Sequence, residues 1–151
     1  MHKKNKQFAG FTLIEMVVVI VLVGILSVVV LPRFADQSIF DSRGFYDETL
    51  STLRYAQKTA VAQRRPVCAT FTATSVTLQI AANFGGMCNT NLTPLNGSVP
   101  YTIKARGTIQ YSAVPAAITF NPDGSASPGA SIQVTGAAGA ITVVPETGYV
   151  Y

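Results

Sequence analysis

Gly10-Phe11-Thr12-Leu13-Ile14-Glu15 opens an apolar run that reaches Leu31. Of the 21 residues from Phe11 to Leu31, Glu15 alone is charged. At helical rise this length crosses a bilayer, since a span needs about 20 apolar residues. Lys3, Lys4 and Lys6 precede the run and hold the N-terminus on the cytoplasmic side; Pro32 closes it. A carboxylate one turn into a span is costly and points to function: it stays protonated or it meets a cation. Simpler readings explain less. A secretory signal peptide has an apolar core of about 7–15 residues followed by small residues at the cut. Here the run is longer, begins with an acid and ends in Pro32-Arg33-Phe34. A plain signal anchor accounts for the length and the lysines, but not for Gly10 or Glu15.

A short basic leader ending in Gly10, then Phe11-Thr12-Leu13-Ile14-Glu15 and an unbroken hydrophobic helix, resembles the type IV prepilins, a class that includes the pseudopilins of type II secretion. The resemblance implies that a prepilin peptidase cuts between Gly10 and Phe11 and methylates the new amine on Phe11. It also implies an inner-membrane assembly platform and other pilins or pseudopilins as partners. The implied location is the bacterial inner membrane, single-pass with a periplasmic head, and then a filament. The physics is consistent. The ammonium of Phe11 and the carboxylate of Glu15 on a neighbouring subunit neutralise each other in low dielectric, and removing one partner of such a buried pair costs about 3–5 kcal/mol. Gly24 and Ser27 are weak helix formers within the span, and Pro32 removes a helix hydrogen bond. In related filaments this region loses helix as subunits pack, which makes Gly24 and Pro32 the places where melting or a kink begins. The alternative is one kinked helix that does not melt.

The 151 residues suit one anchor and one globular domain. The formal charge of +4 overstates the basicity, because Lys3, Lys4 and Lys6 leave with the leader. The remaining 8 Lys and Arg face 7 acids, and the loss of His2 leaves no histidine. Cys68 and Cys88 are the two cysteines. In the oxidising compartment outside the inner membrane they are expected to pair, closing a loop of about 20 residues worth on the order of 3 kcal/mol. The alternative is two buried thiols.

From Phe34 to Arg65 there is no proline, and Tyr46, Leu50, Leu53, Ala56, Ala60 and Val61 recur at helical spacing. Lys58, Arg64 and Arg65 gather where a helix dipole favours cations, and Pro66 stops the helix. Continuous helix from Phe11 to Arg65 would extend roughly 80 Å. Beyond Pro66, segments 67–72, 75–80, 101–105, 108–112, 117–120, 131–134 and 141–144 read as short strands. The Gly/Asn/Pro-rich stretch from Asn83 to Pro100 reads as a long loop, and Asn121-Pro122-Asp123-Gly124 as a turn. The expected fold is α+β: a long N-terminal helix, membrane anchor plus amphipathic spine, packed on a small antiparallel β-sandwich head. Its segments are a cleaved leader (1–10), a transmembrane and filament-core helix (11–31), a spine helix (32–66) and a β-rich head (67–151).

Leu53-Arg54-Tyr55-Ala56-Gln57, then Ala60 to Val67 and a hairpin, resembles the head of the H-type minor pilins and minor pseudopilins. So does Ile118-Thr119-Phe120-Asn121-Pro122-Asp123-Gly124 followed by Gly148-Tyr149-Val150. Pro32-Arg33-Phe34 with segments 43–48 and 53–58 is most similar to a minor pilin of the mannose-sensitive haemagglutinin pilus type. A minor pilin is therefore the expected function, in assembly initiation or at the tip. The alternatives are a minor pseudopilin of type II secretion and a DNA-binding pilin for DNA uptake.

No catalytic arrangement is legible. Without histidine there is no Ser-His-Asp or Cys-His pair, and two cysteines alone make no zinc site. Gly85-Gly86 and 136–139 lack the context of a nucleotide-binding loop. Asp47 and Glu48 are adjacent and point to different helix faces. An enzyme, a cofactor and a metal are accordingly not expected. For DNA, Lys104 and Arg106 offer a small basic patch and Tyr149 or Tyr151 a stacking surface. Two cations without a cluster argue against nucleic acid as partner. The 83–100 loop is a further candidate surface for a ligand at a filament tip, or simply a disulfide-pinned structural loop.

Overall fold

The structure is a computed structural model that describes residues 11–30, 37–93 and 99–151, the side chains of 28–30 excepted. The chain divides after Gln37 into two units.

In the first unit, helix α1 spans Leu13–Val30. It runs through Gly24 without a break, and the Ser27 hydroxyl donates to Val23 O (2.6 Å), so its polar group is satisfied inside the helix. Val, Ile, Leu and Met occupy every side of α1, and those described, as far as Leu26, are exposed. Its 18 residues reach about 27 Å, against a hydrocarbon core of about 30 Å. Among the described residues no helix is long and apolar enough to cross a membrane. The expected end of the span at Leu31, the kink at Pro32 and the continuity of anchor and spine lie outside the described residues.

The second unit opens with α2, Gln37–Gln63. Its buried face is Ser42, Phe45, Thr49, Thr52, Leu53, Ala56, Thr59 and Ala60, one stripe at three- and four-residue spacing. The apolar pattern alone had placed the stripe partly elsewhere. Tyr46 and Leu50 are half-buried at its margin, and Val61 is exposed. The helix stops at Gln63, two residues before the expected end. Arg64 adopts φ 53°, its N–H donates to Val61 O (3.3 Å), and Arg65 N–H donates to Ala60 O (3.2 Å). That is the hydrogen-bond pattern of a Schellman stop, usually built on glycine.

Eight strands follow: β1 Val67–Phe71, β2 Ser75–Ala81, β3 Cys88–Asn91, β4 Tyr101–Lys104, β5 Ile118–Phe120, β6 Ala126–Ser127, β7 Ala130–Gln133 and β8 Ala140–Val143. Six form one antiparallel sheet in the order β3-β2-β1-β5-β6, with β4 also on β2; β7 and β8 form a second. The outer edge of β2 is shared, Ser75–Leu78 pairing with β4 and Gln79–Ala81 with β3. Val67, Ala69, Val76, Leu78, Ile118 and Phe120 point inward to one core with Leu53 and Ala56 of α2 and Ile132, Ile141 and Val143 of the second sheet. The opposite face is polar, with Thr70, Thr77 and Thr102 in register across three strands. The α+β class and the antiparallel head are as the sequence reading had them. Two local expectations fail. Residues 108–112 make no strand, only a single bridge from Tyr111 to Val134, and the supposed 83–100 loop contains β3.

The last residues close the core. Val150 is fully buried and bridges Val143, while Thr142 and Tyr151 exchange backbone hydrogen bonds. Helix α2 reaches over them: Arg54 Nε donates to Val150 O (2.9 Å) and Gln57 Nε2 to Thr147 O (2.8 Å). Gly148, at φ 58°, lies so close to the turn at Gly124 that an added Cβ would collide with the Gly124 carbonyl oxygen. Gly148→Ala is expected to lower head stability by about 2 kcal/mol or more, read as a fall in the unfolding midpoint of the purified full-length chain.

Tyr111 sits in the core between Phe45 and Phe71, and its hydroxyl shares a 3.0 Å hydrogen bond with Thr49. Burial pushes its pKa up to about 12, the Thr49 hydrogen bond opposing the shift. The folded value lies above the unfolded one, so the contribution is intact below about pH 10 and is lost as pH rises towards 12. Unfolding followed across that window should show a decline in stability that Tyr111→Phe makes shallower.

Candidate functional site

The start of α1 carries the chemistry that the sequence singled out. Thr12 is the residue before the helix; its Oγ1 accepts the Glu15 N–H at 3.3 Å and its carbonyl accepts the Met16 N–H at 3.2 Å. Thr12-Leu13-Ile14-Glu15 therefore has the sequence of a capping box, with Glu15 at the third helical position. A carboxylate there is favoured by the helix dipole, which offsets part of its cost in an apolar segment. Thr12 and Glu15 both lie downstream of the expected cut, so the cap is independent of the leader. Phe11 is exposed just ahead of it, and Gly10 lies outside the described residues.

In the head, Cys68 and Cys88 form a disulfide with Cα atoms 6.0 Å apart. Cys68 lies on β1 and Cys88 begins β3, so the bridge crosses over β2, which pairs with both strands. It thus fastens an edge strand with little hydrophobic anchoring of its own, since Asn89, Thr90 and Asn91 are all exposed. Part of the expected loop, residues 94–98, lies outside the described residues. The Asn121–Gly124 turn forms as expected, with Gly124 at φ 94° and its N–H donating to Asn121 O (3.0 Å). Asp123 Oδ1 accepts from the Ser125 hydroxyl (2.7 Å) and backbone N–H (2.9 Å), which hold its pKa below the usual carboxylate value. Asp123 is thus employed in the turn.

Lys104 and Arg106 come together, but beside the acids Asp41 and Glu48 of α2, with Phe40, Gly44 and Phe45 completing the same small pocket. Two cations facing two carboxylates give no net field for phosphate. Tyr149 and Tyr151 stack on each other (centroids 5.7 Å apart) on an exposed surface, with no described basic side chain bonded to either. No group of three or more metal-ligating side chains occurs among the described residues. Neither the threonine line of α2 nor the positive-φ stop at Arg64 was found from sequence. The first lacks apolar periodicity and the second lacks glycine.

Residues 5–31 match the prokaryotic N-terminal methylation motif, and residues 46–147 match the family of the type II transport protein GspH. The chain is 41% identical over 61 residues to the type IV narrow pilus major component PilA5 of Thermus thermophilus. That alignment covers 39% of this chain and 53% of the relative, so the chain spans about half the length of the curated relative it matches. No solved structure matches. The chain belongs to the GspH family, within the type IV pilins and pseudopilins.

Reducing the disulfide, or making Cys68→Ser with Cys88→Ser, should lower head stability by about 3 kcal/mol through the closed loop, measured by denaturant unfolding of the purified chain with and without reductant.

Proposed function

We propose that this member of the GspH family is a minor pilin of a type IV pilus, acting in assembly initiation or at the tip. The observation that carries the reading is the junction at Phe11: a basic leader ending in glycine, then a capped helix with one carboxylate in an otherwise apolar surface. A prepilin peptidase cuts after Gly10 and methylates Phe11. The processed chain waits in the inner membrane with its head in the periplasm, segment 11–31 as anchor, 32–66 as spine and 67–151 as head. The assembly platform then moves it into a filament. There α1 exchanges lipid for the helices of other pilins, and Glu15 sets register by meeting the amine of a neighbour. Gly24 and Pro32 are the positions where the spine yields if packing demands it. As a structural subunit it needs no catalytic group.

A second reading, a minor pseudopilin of type II secretion, draws support from the family matched by residues 46–147. The similarity to a pilus component favours the surface fibre. The mannose-sensitive haemagglutinin type of pilus is supported only by the short motifs around Pro32, Arg43–Glu48 and Leu53–Lys58. DNA uptake draws little support, because Lys104 and Arg106 are offset by Asp41 and Glu48.

Mass spectrometry of sheared surface filaments, with cells lacking this chain as control, tests the reading. A minor amount of chain beginning at methylated Phe11 is expected. Processed chain confined to the envelope favours the pseudopilin, and uncleaved chain everywhere overturns both. Glu15→Ala should leave the cut at Gly10 intact while reducing the amount of chain in filaments; unchanged incorporation overturns the pairing of Glu15 with the amine.

A further inference from the structure

The exposed side of α2 is polar for most of its length, with Asp47, Glu48, Ser51, Arg54 and Lys58 outward. Its first turn departs from that pattern: Ile39 and Phe40 are 47% and 69% exposed. Large apolar side chains side by side at one helix end gain free energy if something other than water covers them. Chain length says what lies close to them. Residues 31–36 join α1 to α2, and the chain from Val30 to Ile39 reaches at most about 30 Å even when fully extended. With α1 in the bilayer, Ile39 and Phe40 are therefore tethered beside the lipid surface, whose interfacial layer accepts such side chains. The charges around them cancel. Arg43 stands one turn on, and Lys104 and Arg106 share a small pocket with Phe40, but Asp41, Asp47 and Glu48 accompany them.

We propose that, before assembly, the head rests on the periplasmic surface of the inner membrane with Ile39 and Phe40 seated among the lipid headgroups. The contact rests on the pilin reading, which puts the anchor in that membrane and the head in the periplasm. The tether keeps lipid at a high effective concentration, so two side chains suffice where a free helix would need a whole apolar face. With its neighbouring charges balanced, the contact is apolar in origin and indifferent to the charge of the lipid; the cluster of cations that would select anionic lipid is absent among the described residues of this end. Exposure alone does not produce such a contact. Phe84 is 79% exposed, but it sits with Val61 and Arg64 at the far end of α2, about 40 Å away along the helix. The start of α2 leaves the lipid when the subunit enters a filament, so the contact belongs to the waiting state alone.

The chain contains no tryptophan, so an introduced one reports its own surroundings. The test places the full chain in phosphatidylcholine vesicles whose acyl chains are brominated close to the headgroup, and follows quenching of tryptophan fluorescence. Phe40→Trp and Phe84→Trp replace side chains that are both largely exposed, so neither change disturbs the core. Quenching should be several-fold stronger for Phe40→Trp than for Phe84→Trp, and unchanged by added phosphatidylglycerol or by salt. Ile39→Trp should be quenched as well, and Phe40→Ser in the same chain should largely abolish that signal. Weak, equal quenching of the two single variants in chain that floats with the vesicles overturns the contact and leaves the anchor standing. Quenching of Ile39→Trp that survives Phe40→Ser also overturns it, since nearness along the chain then explains the signal. Quenching that appears only with phosphatidylglycerol overturns its apolar origin. Chain that does not float with the vesicles overturns the anchor and the contact together.

Discussion

Everything in this chain follows from one unfavourable surface. Helix α1 is apolar on all sides and its described side chains are exposed. An isolated helix of that kind has no stable existence in water, so it must be covered by lipid or by other helices. Its one carboxylate makes the two covers unequal. Lipid offers Glu15 nothing but the dipole and cap of its own helix start. On the proposed function, a neighbouring pilin offers a cation. A segment that tolerates lipid but is better matched by its own kind is what an anchor needs if it is later to leave the membrane for a filament.

The head answers a different demand, to be rigid with a modest core. Helix α2 does not bury a fat apolar stripe; it buries Thr49, Thr52 and Thr59 among alanines and Leu53. The cost of burying hydroxyls is met where partners exist, as in the Thr49–Tyr111 bond. The C-terminal residues then act as a clasp. Val150 fills the core, Arg54 and Gln57 hold the surrounding carbonyls, and Gly148 lets that segment touch the Gly124 turn. The disulfide performs the same office for β3 on the far edge of the sheet.

How much of this could be read in advance depended on whether the deciding force was local. The apolar first helix, the α+β class, the 121–124 turn and most strands were legible because hydropathy period, proline and glycine act within a few residues. The Asn121-Pro122-Asp123-Gly124 turn and Gly148-Tyr149-Val150, read from sequence only as successive motifs, lie together in space where the two glycines meet. Strand β3 was not legible. Asn89-Thr90-Asn91 has loop composition and becomes a strand only because β2 and the disulfide hold it there. Residues 108–112 have strand composition, yet Gly107 turns the backbone to φ 58° and Tyr111 is drawn into the core towards Thr49. In both cases tertiary contacts outweighed propensity.

The distribution of charge separates the possible partners. A head built for nucleic acid would concentrate cations, because counterion release is the source of that affinity. Here each exposed cluster carries both signs: Lys104 and Arg106 with Asp41 and Glu48, and Arg64 with Asp123. Mixed clusters lose little when they meet a phosphate-free partner and gain orientation when that partner repeats the pattern in reverse. They steer alignment without creating a field that would draw polyanions to a membrane-bound subunit. Such surfaces suit a partner that is itself mixed in charge rather than a polyanion.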